Sequence, residues 1–308
     1  MILETIQAIT LLAAAPMVTA LIHKFKAYFQ GRKGPSIIQP YRDLSKLFHK
    51  GSVVSKDTSW VFITTPYVCM AAVMAAALMV PFFTTSSVNF IGDLIVVVYL
   101  FVMMRFFMAL AGLDAGSSFG GMGSSREMTV SAIVEPTMLL SIFTMALISG
   151  TTCLGGISEN MVTSGLELVR PALFLAFAAF FISTLAENAR VPVDNPTTHL
   201  ELTMIHEAML LEYSGKQLAL MEWSSMTKLL LYMTIMANIF FPWGIATELT
   251  PAALAIGVSA IFIKVLLFAL AIAIIESIMA KMRLFRLPNL LTVSFTLALL
   301  AVMSFYIL

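Results

Sequence analysis

Eight runs of apolar residues, each about long enough to cross a bilayer, constrain this chain more than any other feature. Their approximate limits are 2–23, 62–82, 92–112, 128–149, 170–187, 227–246, 253–280 and 289–307. The hydrocarbon core of a membrane is about 30 Å thick, and about 20 helical residues span it. Backbone groups in lipid find no water, so a spanning run must satisfy them internally, as a helix does. Composition agrees: 59% of the 308 residues are hydrophobic and 11% are charged, against about 25% charged in a soluble domain. The expected fold is an all-α integral membrane protein of about eight transmembrane helices, one multi-pass domain over 1–308 in the cell (inner) membrane. A net charge of +1 supplies no field for nucleic acid. The first run carries Glu4 where a secretory signal has Lys or Arg, and its basic residues follow it. It reads as a retained first helix.

Orientation follows from the cations. Fourteen of the eighteen Lys and Arg fall in the connections 24–60, 113–127, 188–226 and 281–288, and none in the connections of opposite parity. Positive loops stay in the cytoplasm, so these four are expected to be cytoplasmic and both termini external. Arg105, Arg170, Lys228 and Lys264 lie within or at the ends of spans.

Residues 187–215, ENARVPVDNPTTHLELTMIHEAMLLEYSG, form a polar island among apolar helices. The island carries Glu187, Asp194, Glu201, Glu207 and Glu212, with Arg190 and Lys216 as nearby cations. A charge at the bilayer centre costs about 2.5–3.5 kcal/mol or more, so such a cluster at a membrane boundary is a functional candidate; the plainer reading is a solvated loop. Pro196 and Thr197 are expected to start a helix, with Thr198 and Glu201 at capping-box spacing. Glu135 precedes Pro136 inside the fourth run. Proline frees a backbone carbonyl there, and burial is expected to raise a carboxyl's pKa toward neutrality. Arg105, Lys264 and Glu276 are the other deep charges, each equally readable as one ion pair holding two helices together.

Other chemistry finds no motif. His206-Glu207 lacks the second histidine of HExxH, so no zinc site is expected. Cys69 and Cys153 belong to no CxxC pattern. There is no P-loop, no GxGxxG and no nucleophile–base motif. In residues 39–50, Tyr41, Leu44, Leu47 and Phe48 recur at helical spacing, with Arg42, Asp43, Lys46, His49 and Lys50 opposite. This is a short amphipathic helix for a membrane surface or a partner protein. The glycine- and serine-rich stretch 112–127 reads either as a flexible linker or as a place of close backbone approach.

GRKGPSIIQPYRDLSKLF (31–48) together with residues 187–215 resembles the NuoH/subunit 1 family of respiratory complex I. GLDAGSSF (112–119) and SREMTVSAIVEPTMLL (125–140) resemble its hydrogenase branch, the membrane subunits of group 4 nickel–iron hydrogenases. The resemblance covers nearly the whole chain. It implies a non-catalytic subunit that anchors a peripheral electron-transfer arm and couples it to proton or sodium movement. The implied partners are a small Fe–S subunit, a large catalytic subunit and antiporter-like membrane subunits within the lipid bilayer. Fe–S clusters and a Ni–Fe centre would belong to those partners, and no cofactor to this chain. Matching positions are Arg32, Gly34, Pro35, Gln39, Asp43 and Lys46 for docking, joined by Arg42 on the same helix face. For an ion path they are Arg126, Glu135, Glu187, Arg190, Asp194, Glu201 and Glu212; Pro192, Pro196, Tyr213 and Ser214 match the family's third cytoplasmic loop beside them. Glu207 and Lys264 join that path by position. Quinone-type members continue the first loop differently after Gly34-Pro35 and carry further acids where Thr197, Thr198 and His199 stand here. They are also about three residues shorter between Glu201 and Glu212. These loops shape the quinone tunnel in complex I, so a quinone-binding subunit is the alternative reading.

Overall fold

The computed structural model describes residues 2–55, 58–85, 93–164, 170–195, 204–246 and 250–307. Eleven helices make up the described fold: α1 (Ile2–Phe29), α2 (Gln39–His49), α3 (Trp60–Met79), α4 (Asp93–Asp114), α5 (Ser118–Ser149), α6 (Leu154–Ser164), α7 (Pro171–Glu187), α8 (His206–Leu210), α9 (Gly215–Ile239), α10 (Pro251–Ile278) and α11 (Leu287–Ile307). A 3-10 turn, Leu284–Arg286, leads into α11. No strand occurs among the described residues; Thr84 and Ala246 make one isolated bridge.

Each of the eight apolar runs contains a helix, although 80–82 and 240–246 lie beyond the ends of α3 and α9. Six of these helices are long and apolar enough to cross a membrane: α1, α3, α4, α5, α10 and the α11 segment. α7 has 17 residues, about 25 Å of helix. α9 begins at Gly215, twelve residues before the expected start of its run, and every residue from Leu229 to Phe240 is buried. A helix enclosed by protein can carry polar groups that a lipid-facing one cannot, and α9 holds Ser224, Thr227, Lys228, Thr234 and Asn238 inside the bundle. α3, α1, α2 and α10 pack around it. On the other side α5, α7 and α11 pack against one another, and α4 joins α3 to α5.

The stretch 113–127, expected as a connection, is mostly helix. α5 starts at Ser118, capped by the Ser117 hydroxyl, so only 115–117 join α4 to α5. Its glycines serve close approach: a Cβ on Gly120 would lie 2.4 Å from the Gly112 carbonyl oxygen, and one on Gly123 would lie 2.9 Å from that of Ile205. The expected connection 150–169 contains α6, and the backbone N–H of its first residue, Leu154, donates to the buried Asp93 carboxylate at 2.9 Å.

Two helix prolines leave carbonyls without their usual N–H, and aromatic side chains fill the gap. Pro16 frees Leu12, whose oxygen accepts from Trp223 Nε1 at 3.0 Å. Pro66 frees Phe62, whose oxygen accepts from the Tyr213 hydroxyl at 2.9 Å, with the two rings stacked 4.0 Å apart. At the opposite end Gln7 donates to Thr84 at 2.8 Å and accepts from Phe82 N–H at 2.8 Å, while Asn238 donates to the Pro81 carbonyl at 2.6 Å. Irregular backbone beside membrane helices needs such partners.

Candidate functional site

The deepest charges meet at Arg105, near the middle of α4. Its Nη1 lies 2.8 Å from Glu135 and its Nε 3.5 Å from Glu127, both on α5, and its Nη2 pairs with Glu187 at the end of α7. Lys228 of α9 completes the group. Its Nζ lies 3.1 Å from the Glu187 carboxylate and donates to the Glu187 backbone carbonyl at 2.8 Å. The last carbonyls of a helix lack intrahelical partners, so this lysine both pairs the charge and caps α7. Side-chain exposure is 4% for Arg105 and Lys228 and 0% for Glu187, but 30% for Glu135. One member of the network therefore touches the surroundings. Three carboxylates face two cations, so the fully ionised group carries one excess negative charge.

A second network closes the segment after α7. Glu276 of α10 accepts from Lys26 of α1 at 3.1 Å and from Arg190 at 3.3 Å. Asp194 is buried and accepts from three backbone N–H groups, those of Asn195 (2.8 Å), Ile205 (3.0 Å) and His206 (3.3 Å). Its other partner is Lys281 Nζ at 2.5 Å. His206 stands between the two networks. Its N–H is held by Asp194, and its imidazole feels Glu127, Lys228, Asp194 and Arg105. Burial pushes that imidazole below the usual 6.5, against the upward pull of Glu127, so it is neutral at pH 7. A cavity of about 280 Å³ adjoins it, lined among others by His23, Arg190, Glu207 and Glu222. Among the described residues no group of three or more His, Cys, Asp or Glu is placed to hold a metal ion.

The expected path residues thus divide. Glu135 and Glu187 come together on Arg105. Arg190 and Asp194 lie in the second network, where Asp194 mainly organises backbone. Glu207 lines the cavity. Arg126 donates to the Met204 carbonyl at 3.0 Å. Lys264 reaches the Ala237 carbonyl at 3.4 Å, near the end of α9. Glu212 is exposed and joins no ion pair among the described residues. Glu201, Pro196 and the Thr198–Glu201 capping box lie outside the described residues; within the described part of that expected helix only His206–Leu210 is helical. Glu127 and Lys228 were not expected in the path. The residues expected to dock lie on α2 and in the turn before it. Arg32, Arg42 and Lys46 are exposed, Gln39 donates to Asp43 at 2.9 Å, and Gly34 packs back on α1. Leu44 of α2 is buried, and Phe48 meets Trp223 edge-on at 6.3 Å.

Fold and site define a multi-pass, all-α membrane protein built around buried ion pairs. The chain belongs to the family described as NADH dehydrogenase, whose model matches residues 3–307. It is 34% identical over 300 residues to formate hydrogenlyase subunit 4 of Escherichia coli (strain K12), covering 97% of this chain and 96% of that one. It is 36% identical over 299 residues to hydrogenase-4 component C of the same organism, covering 96% and 92%. A chain from the structure of the membrane-bound sulfane sulfur reductase, an archaeal respiratory membrane complex, superposes with a TM-score of 0.81 over 97% of this chain and 98% of that one. At 21% identity that likeness concerns the fold. The family expected from the loop motifs is the family found.

Proposed function

We propose that this chain is the membrane-anchoring and energy-coupling subunit of a group 4 nickel–iron hydrogenase-type oxidoreductase complex. Its cytoplasmic face, with α2 and the 187–215 segment, receives the small Fe–S subunit and the large catalytic subunit. Antiporter-like subunits continue the ion path in the membrane. Redox cofactors belong to the partners; this chain supplies charge and position. The names of its two hydrogenase-type relatives support the complex, and the Arg105 network carries the coupling.

The network has the properties a relay needs. Its carboxylates share one excess charge, so a proton taken up by any of them is a property of the group rather than of one residue. A unit charge about 15 Å away, through an effective dielectric of about 20, acts on it with roughly 1 kcal/mol, close to one pKa unit. Electron arrival at a docked redox centre is then enough to shift the balance about fivefold. Glu135, partly exposed, is the exit or entrance of the relay. Glu187, held by two cations, is its fixed end.

The test is Glu135→Gln in sealed vesicles, reading ion movement against electron transfer. Gln keeps the shape and removes the titrating group, and Arg105 retains Glu127 and Glu187. Ion movement per electron is expected to fall while the complex stays assembled. Wild-type coupling in this variant removes Glu135 from the path, and wild-type coupling in Glu187→Gln as well sinks the relay. A second reading, the quinone-binding subunit of a complex I-like NADH or ferredoxin dehydrogenase, draws on the 280 Å³ cavity beside His206. Charged residues line it, which suits water and ions better than an isoprenoid tail. Quinone retained by the purified complex would favour this reading.

A further inference from the structure

α10 leaves one side uncovered. It packs against α1 and, less extensively, α9. Its spanning window is 33% buried, against at least 50% for α1, α3, α4 and α5. Along the uncovered side Ile256, Ala260, Ile263, Leu267, Leu270 and Ile274 follow one another in alternating steps of four and three residues. Ile256, Ile263 and Leu267 are more than half exposed, Ile274 is 37% exposed, and Ala260 and Leu270 are half-buried. Steps of four and three are the pattern of a seam along which one helix meets another.

Lys264 stands directly beside this seam. It is the fourteenth of the 28 residues of α10, about 20 Å of helix from either end. Its four-carbon stem is too short to carry the ammonium to either membrane surface. The Nζ donates to the Ala237 carbonyl at 3.4 Å, and among the described residues no carboxylate lies within ion-pair distance of it. The buried cations Arg105 and Lys228, by contrast, each pair with a carboxylate. A charge at mid-membrane is costly, and such groups pair with an opposite charge or line a water-filled cavity. Lysine next to a seam occupies the flanking position from which paired helices exchange salt bridges.

We propose that α10 seats a transmembrane helix of another polypeptide, one carrying an Asp or Glu at mid-membrane opposite Lys264. The six seam positions supply close packing, and the charge pair supplies the choice of partner. Apolar contact alone selects weakly in a bilayer, because lipid tails are as apolar as leucine. A carboxylate at that depth is as costly alone as the lysine, so each helix satisfies the other. A second copy of this chain does not fit, since α10 laid on α10 sets Lys264 against Lys264 at the same depth. The proposal rests on one part of the reading above, that other subunits share the bilayer with this chain. It is independent of the Arg105 relay.

The experiment uses the complex purified with its membrane subunits. A photoreactive benzophenone side chain is placed at Ile263 or at Leu267, both exposed, and its cross-links are read by mass spectrometry. Both positions are expected to label one apolar segment of another polypeptide, and that segment is expected to contain an Asp or Glu. Labelling of lipid alone, of a second copy of this chain, or of a segment without an acid overturns the proposal. Lys264→Glu is expected to weaken retention of the labelled polypeptide in detergent about tenfold, the scale of one interhelical polar contact. Changing the identified acid to Lys in the same background is expected to restore it. Unchanged retention in Lys264→Glu, or no rescue by the reversed pair, overturns the proposal. Lys264→Met, apolar and of similar length, is expected to fold by thermal melting and still to lose the partner. The cross-linking arm needs no change at Lys264, so it decides even where a charge variant misfolds. A complex without any other membrane polypeptide overturns the wider reading as well. A membrane polypeptide that is present but cross-links elsewhere overturns only this proposal.

Discussion

The Arg105 network and the α2 face use the same residue types in opposite settings. Arg105, Lys228 and Glu187 are enclosed by four helices and paired at every charge. Arg32, Arg42 and Lys46 stand exposed, with Asp43 and Lys46 only 3.7 Å apart on one helix turn. An exposed pair of this kind is worth about 0–1 kcal/mol. Removing one partner from a buried pair costs about 3–5 kcal/mol, because the other charge is left without compensation. The inner charges therefore hold the bundle as well as serving it, whereas the outer ones are available to a partner at little cost to folding.

Substitutions turn that contrast into numbers. The largest effect is expected from Arg105→Met, which leaves three carboxylates around an apolar side chain. About 3–5 kcal/mol of stability is lost, read as failure to accumulate in the membrane. Near-normal accumulation would mean that water already solvates the network. Next comes Lys228→Met, expected to destabilise strongly alone and less when combined with Glu187→Gln. Thermal melting of the two singles and the double measures the coupling, and strict additivity would show that the pair at 3.1 Å carries none.

His206 sets a pH dependence of intermediate size. Its folded pKa lies below the unfolded 6.5, so the unfolded state binds the extra proton. Stability is full above about pH 7 and declines as pH falls through 6.5, at no more than about 1.4 kcal/mol per pH unit. His206→Gln is expected to flatten that part of the melting-temperature profile; an unchanged profile would assign the slope to another group. The smallest effect on stability belongs to Arg42→Ala with Lys46→Ala, within about 0.5 kcal/mol. The same double variant is expected to loosen the peripheral arm at raised salt. An arm that stays bound locates docking elsewhere.

The helices were legible because a membrane span excludes charge over about 20 residues, and that exclusion is written in the chain itself. The pairing of helices was not. Periodicity tells which face of one helix is polar, not which neighbour meets it, so Arg105 could be seen as a deep charge but its partners could not. Glu127 was hidden because the Gly/Ser stretch reads as a connection. Once α5 is known to begin at Ser118, Glu127 falls about two turns before Glu135 on the same helix, and that spacing was the available signal. Lys228 was set aside as the edge of a run, because α9 is enclosed and its polar residues blur the hydropathy. Asp194 shows a second thing the sequence hid, its partners. A carboxylate in a loop motif was expected in an ion path, yet four donors bind it as the loop's keystone.

The two proline-freed carbonyls have a mechanical consequence. Trp223 reaches back to α1 and Tyr213 to α3, and the two aromatics are ten residues apart on one continuous segment that begins α9. A proline without its backbone bond is a hinge; a hinge with an aromatic donor across it is bolted. Both bolts here are driven from the same plate. The segment around Tyr213 is thus tied to α1 and α3 together, in each case at the carbonyl that the proline leaves without its backbone partner.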